Sequence, residues 1–289
     1  MPRIFPNIVL AAPLRLWRLA SFWHLASFDA PTVALVWSLA FAWAAHVRLP
    51  LWVPALLSLA VWSVYIADRL LDARSALRAA ALHRLRERHF FHWRHRRILI
   101  PLSIASAAAA ACIVFVFMPV PARERNSLLA AASLVYFTRV HASRKPSPLL
   151  SKELLVGLLF AAGCALPALS RIAPNEQLWP LILPAISFAL LAWLNCHAID
   201  RWESHSAAHP QPTIQTPATL LALTALFLAA ILSSHPRSAA LLISTAIAAL
   251  LLALLDQHRI RLAPVTLRAA ADLVLLTPIL LIPIASHLP

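Results

Sequence analysis

What most limits the fold of this chain is the succession of its apolar runs. Nine of them follow a short opening stretch, at 30–47, 50–67, 98–118, 126–140, 153–170, 179–199, 217–234, 238–255 and 266–285. A helix needs about 20 apolar residues to cross the hydrocarbon core of a bilayer, and most of these runs approach that length. Hydrophobic residues make up 61% of the 289 and charged residues only 12%, which leaves too little polar surface for a water-soluble domain. The expectation is an all-α, polytopic membrane bundle of nine transmembrane helices.

The basic residues orient that bundle. With the N-terminus inside, 20 of the 25 Lys and Arg fall on inner segments, and only Arg48, Arg123, Arg125, Arg171 and Arg237 fall outside. Such a split follows the positive-inside rule, and losing or adding one crossing would scramble it. The net charge of +14 therefore reads as membrane topology, with no nucleic-acid partner expected. Residues 1–29 are amphipathic, with Arg3, Arg15 and Arg18 among Trp17, Phe22 and Trp23. Pro2, Pro6 and Pro13 interrupt any signal-peptide core, so an N-terminal interfacial segment is expected there, followed by one domain over 30–289. Cys112, Cys164 and Cys196 lie inside apolar runs without CxxC spacing and read as small buried hydrophobes.

The acids carry the chemical signal. On this topology nine of the eleven lie on the inner side or just within it; only Glu124 and Glu176 lie outside. No topological rule gathers acids in this way, so a shared polar chamber on the cytoplasmic side is expected. Two apolar runs end in acid pairs on one helix face: Asp68 and Asp72 at i and i+4, and Asp200 and Glu203 at i and i+3. Mg²⁺ prefers a few carboxylates together with phosphate oxygens and water. A diphosphate held by Mg²⁺ and basic residues becomes a good leaving group. Arg69, Arg74, Arg144, Lys145, Lys152 and Arg201 are placed to supply the basic part, and an apolar bundle would shelter a hydrocarbon tail.

These motifs resemble those of the UbiA family of intramembrane prenyltransferases. Its first aspartate-rich motif is matched by Asp68-Arg69-x-x-Asp72, with Val64 and Tyr65 where the family carries Asn-Asp. The second is matched by Asp200-Arg201-x-Glu203, with Asn195 upstream and Ser204 where a further acid is common. The segment from Lys152 through Gly157 to Gly163 is similar to the family's fifth span and holds both glycines of the chain. The likeness runs from about Leu14 to Pro283. It implies transfer of an isoprenyl group from its diphosphate to a lipophilic acceptor. Asp68, Asp72, Asp200 and Glu203 would be the catalytic Mg²⁺ ligands. Arg69, Lys145, Lys152 and Arg201 would contact diphosphate oxygens, Asn195 would orient the second pair, and Tyr136 and Arg139 would face the diphosphate. A bacterial inner membrane is the implied location. A terpene-cyclase relative, or a non-catalytic lipid-binding or scaffold member, are the alternatives.

Other polar residues have simpler readings. His83, His89, His92 and His95, with Phe90, Phe91 and Trp93, suggest a basic interfacial helix rather than a metal or haem cluster. His197 is three residues before Asp200, and either borders the site or is a satisfied helix-end histidine. Arg268 and Asp272 at i and i+4 suggest an ion pair, and Asp29 before Pro31 suggests a helix N-cap. Two glycines are too few for a Walker-type loop or a glycine-dependent intramembrane protease. Secondary transport would require interrupted helices with acids near mid-membrane.

Overall fold

The computed structural model describes residues 19–78, 85–142, 151–173, 177–204 and 213–285. Among them every regular element is helical: α1 (Leu19–Leu25), α2 (Asp29–Ala44), α3 (Trp52–Arg78), α4 (Glu87–Arg94), α5 (Arg96–Phe117), α6 (Val120–Ala142), α7 (Lys152–Leu169), α8 (Trp179–Ser204), α9 (Gln215–Ile231), α10 (Pro236–His258), α11 (Pro264–Val274) and α12 (Pro278–Ala285). Each of the nine apolar runs falls on a helix or, for the last, on the pair α11–α12.

Among the described residues, seven segments are long and apolar enough to cross a membrane: α3, α5, α7, α8, α9 and α10 with their short 3-10 extensions, and Pro264–Pro283. These make the chain an integral membrane protein. An eighth crossing arises if α1 and α2, bent by 94° at their junction, count as one span. The remaining run, 126–140, lies in α6, whose 23 residues carry Arg123, Glu124, Arg125 and Asn126 in the first two turns. Those polar first turns keep it below the apolarity of the other seven.

The centre of the bundle is α8 and α10, each with more than half of its apolar stretch buried; α5 buries less than a fifth of its own. Helix α7 packs along α8, α9 along α10, and α5 along α3, with α2 wedged against α3 and α7. The core between them is aromatic. Trp37 stacks on Phe188 with ring centroids 3.9 Å apart, and Phe41 and Phe160 lean on the same ring. The Trp37 indole N–H donates to the Leu275 carbonyl at 2.8 Å. That carbonyl is available because Pro278 has no N–H and cannot continue α11, so the last crossing is interrupted between Val274 and Pro278. Thr277 closes the break by donating to Ser244 O of α10 at 3.0 Å.

The two glycines play different parts. A Cβ on Gly157 would sit 2.6 Å from Ala189 O and 2.8 Å from Trp193 N, so the α7 and α8 backbones touch there. A small residue at such a crossing lets two membrane helices approach closely. At Gly163 a Cβ would meet only the end of Leu57, at 3.8 Å. Gly157→Ala is therefore expected to lower stability by about 1–3 kcal/mol, the usual cost of overpacking. Gly163→Ala is expected to be neutral or to stabilise by up to about 1 kcal/mol through helix propensity. Thermal unfolding of the two variants in detergent checks the contrast.

Candidate functional site

The polar residues gather at one end of the bundle, where α3 and α8 finish and α2, α7 and α11 begin. They form three neighbouring groups. The first is built around Arg69 of α3, whose side chain is only 3% exposed. Its guanidinium donates to the His24 carbonyl at 2.9 Å, to Ser27 Oγ at 2.7 Å and to Asp29 Oδ2 at 3.2 Å. His24 Nδ1 lies 2.7 Å from Asp29 Oδ2 and 3.1 Å from Asp272 Oδ2. A carboxylate can only accept, so Nδ1 carries a proton shared between the two acids. Asn195 donates to Asp272 Oδ1 at 3.2 Å, while its own Oδ1 is buried with no hydrogen-bond partner among the described residues. Among the described residues this is where three ligand-type side chains come together, His24, Asp29 and Asp272 within 4.8 Å.

The second group surrounds Glu203 at the end of α8. Arg88 of α4 grips both carboxylate oxygens, at 2.7 and 3.0 Å, and Arg268 of α11 donates to Oε1 at 2.7 Å. Arg86 reaches the Glu203 backbone carbonyl, with its Nε 3.9 Å from the carboxylate. Burial and the neighbouring Arg268 pull Arg88 down to about 10, a mark of guanidiniums crowded together.

The third group lies between α3, α6 and α7. The hydroxyl of Tyr136 is within electrostatic reach of Asp68, Asp72 and Glu153 and of Cys196 on α8. Tyr65, one turn before Asp68, lies in the field of Cys196, Asp29 and Asp272. Tyr65 of α3 and Cys196 of α8 are thus within electrostatic reach of each other.

Each residue expected from sequence can now be placed. Asp68 and Asp72 are half-buried in the third group; Asp200 is exposed, and Arg201 is half-buried one residue on. Glu203, expected as a metal ligand, has its carboxylate committed to Arg88 and Arg268. Arg69, expected on a diphosphate, instead closes the α1–α2 bend. Asn195 does orient an acid, but the acid is Asp272. Lys152 is exposed at the start of α7, Tyr136 joins the acidic group, and Lys145 and the Arg139 side chain lie outside the described residues. Asp29 is the first residue of α2, not its N-cap, and its Oδ1 accepts from Ala30 N at 2.9 Å. Arg268 pairs with Glu203 rather than with Asp272 alone. His197 is half-buried and stacks on Trp193 at 5.4 Å.

Sequence reasoning missed His24, Glu153 and Arg88 as members of these groups. Glu153 was legible as an acid at a helix start beside Lys152; His24 lies in a largely apolar stretch and Arg88 in a basic one, and neither carries a motif. Helix α4 itself is more buried than an interfacial helix. His89 and His92 are 6% and 0% exposed, while Phe90 points outward. His92 Nδ1 is 2.8 Å from the Arg88 carbonyl, so it donates there, and Nε2 accepts from Ser27 Oγ at 2.9 Å. His89 Nδ1 accepts from Arg86 N at 3.0 Å.

The fit of Mg²⁺ to these acids is uneven. Asp68 and Asp72, one turn apart with Glu153 nearby, suit an ion that keeps water and takes phosphate oxygens. Glu203 does not suit it while three guanidiniums crowd its carboxylate and carbonyl. A cavity of about 200 Å³ opens beside Glu203, smaller than the 300–1,000 Å³ usual for ligand pockets. No family model, no curated protein and no solved structure matches the chain. The likeness to UbiA prenyltransferases therefore rests on the motif residues themselves.

Burial and nearby arginines push His89 down to about 3 and burial pushes His92 down to about 4, against about 6.5 for a free histidine. Between those values the unfolded chain binds protons that the folded one refuses, so stability falls as pH drops below about 6.5 toward 4. Thermal scans between pH 7 and pH 5 are expected to show a falling Tm. His89→Asn, whose amide oxygen can take the same Arg86 N–H, is expected to flatten that slope.

Proposed function

We propose that the chain is an intramembrane enzyme that transfers an isoprenyl group from its diphosphate to a lipophilic acceptor, with Mg²⁺. The proposal includes nine crossings, a cytoplasmic N-terminus and cytoplasmic-side chamber, and a bacterial inner membrane. The observation that supports it is that the charges of Asp68 and Asp72 on α3 and of Glu153 on α7 all act on the Tyr136 hydroxyl. Acids at a membrane border are costly, and a divalent cation would offset part of that cost.

Asp68 and Asp72, with Asp200 across the chamber, would hold Mg²⁺, which supplies positive charge to a departing diphosphate. Lys152, Arg201, Lys145 and Arg139 would bind the remaining phosphate oxygens. Tyr136 would orient a phosphate oxygen or the acceptor through its hydroxyl. The apolar faces of α3 and α8 would keep water from the allylic cation until the acceptor captures it. Glu203 and Arg69 serve here as positioning residues: one holds α4 and the other holds α2.

Protein reconstituted in vesicles and given radiolabelled isoprenyl diphosphates tests this. Turnover is expected only with Mg²⁺, and Asp68→Ala or Asp72→Ala is expected to reduce it by about 10²-fold or more. If no diphosphate binds and Asp68→Ala behaves as wild type, the enzyme reading fails and a lipid-binding or scaffold relative remains. Cyclic hydrocarbon released without an acceptor would assign a cyclase.

One observation favours a second reading, a proton-coupled carrier. The last crossing is interrupted beside Asp272, which shares the His24 proton with Asp29, and broken helices next to buried acids mark ion paths in transporters. The same vesicles, loaded with a pH-sensitive dye and given an acid pulse, separate the two readings. A carrier is expected to acidify the lumen, and Asp272→Asn to abolish the signal; an enzyme leaves it flat.

A further inference from the structure

The end of α8 and the turn joining α10 to α11 enclose the cavity of about 200 Å³ noted above. One side of its lining is charged, with Glu203, Arg259 and Arg268; the other is apolar, with Trp202, Ile260 and Leu267. Two features of the charged side call for an anion. Positive charge is in excess, because Arg86, Arg88 and Arg268 all converge on Glu203, whose carboxylate carries a single negative charge. In addition, Arg268 Nε is buried without a hydrogen-bond partner among the described residues. Arg268 lines the cavity, so an oxyanion there can accept from the exposed part of its guanidinium. Arg259 is anchored beside it by Asp256, at 2.6 Å, which also accepts from Trp202 Nε1 at 2.8 Å and so fixes the apolar wall.

The apolar side shows where the anion comes from. Ile260 is 89% exposed in the single 3-10 turn Arg259–Arg261. A turn in water gains nothing from an isoleucine held out in this way. A turn at headgroup level gains twice: the isoleucine enters the acyl boundary and the flanking arginines meet phosphates. The turn joins two membrane-crossing segments, which puts it at that level.

We propose that this cleft binds one anionic phospholipid, with its phosphate on Arg268 and Arg259 and its acyl chain along Ile260 and Leu267. The assignment does not depend on the enzymatic or the carrier reading. Full-length protein, delipidated in a neutral detergent, is titrated with phosphatidylglycerol, phosphatidylcholine or inorganic phosphate while Tm is followed, and native mass spectrometry counts retained lipids. A saturable rise with phosphatidylglycerol, one retained lipid, and no shift with the other two are expected. Arg259→Gln should weaken the effect about fivefold, the usual weight of one basic residue near an anionic headgroup. Ile260→Ser, which alters only an exposed side chain, should weaken it too. Arg97→Gln, an exposed arginine on α5, should leave it unchanged. Equal stabilisation by phosphatidylcholine, or the full effect with inorganic phosphate, would overturn the assignment. So would unchanged affinity in both cleft variants, or a loss in Arg97→Gln as large as in Arg259→Gln.

Discussion

A guanidinium carried into an apolar bundle stays there only if acceptors meet it, and Arg69 imposes that condition on the whole polar end. Its three acceptors are the His24 carbonyl, the Ser27 hydroxyl and the Asp29 carboxylate, all on the bend between α1 and α2. The bend has its own strain, because Ser27 adopts φ 62°, a region that non-glycine residues rarely enter. The cost of such a residue, about 1–3 kcal/mol, is tolerated only where surrounding structure over-determines it. Here the same serine accepts from Arg69 and donates to His92. Its hydrogen is therefore directed at His92 Nε2, and the His92 proton at the Arg88 carbonyl. One directed chain of hydrogen bonds runs from α3 through the bend to α4.

That chain explains why Glu203 is where it is. Helix α4 has only eight residues, too few to be stable alone in water. It is fixed by His92 on one side and by the two-pronged Arg88–Glu203 contact on the other. Removing the glutamate would leave Arg86, Arg88 and Arg268 facing one another, so its first consequence is structural. The histidines of α4 hold neutral tautomers for the same reason: each uses Nδ1 in a fixed local bond, and nearby guanidiniums oppose a second proton.

Much of this architecture was legible in the chain, and the exceptions share a cause. The nine apolar runs are helices because a segment that is apolar on all sides can satisfy its backbone in lipid only as a helix. Gly157 was legible as a close-approach position, since two glycines in one span of a glycine-poor chain ask for a packing reason; Gly163 shows that such a reason need not hold for both. Pairing was less legible. Arg268 and Asp272 are spaced to meet on one helix, yet Arg268 turns to Glu203 and Asp272 to His24 and Asn195. Spacing reports which partners a helix can offer, whereas burial decides among them by how many donors each acid must satisfy. Asp29 is similar: its place at a helix start was readable, but its pairing with Arg69 depends on a bend that no local pattern announces.

The two acidic motifs look alike along the sequence and have different neighbours in the fold. Helix α4 brings arginines to the end of α8, so Glu203 lies in a surplus of positive charge. Helix α7 brings Glu153 toward the end of α3, so Tyr136 lies among carboxylates. The difference is set by which helix packs beside each motif, which is why it could not be read from the motifs. A metal–diphosphate pair needs both fields, an acidic wall for the cation and a basic one for the oxygens. With Glu203 paired to Arg88 and Arg268, the proposed ion would be held by the remaining acids and not by two symmetric pairs. Under the proposed function α3 and α7 would form the cation side, and Lys152 and Arg201 would supply positive charge for phosphate.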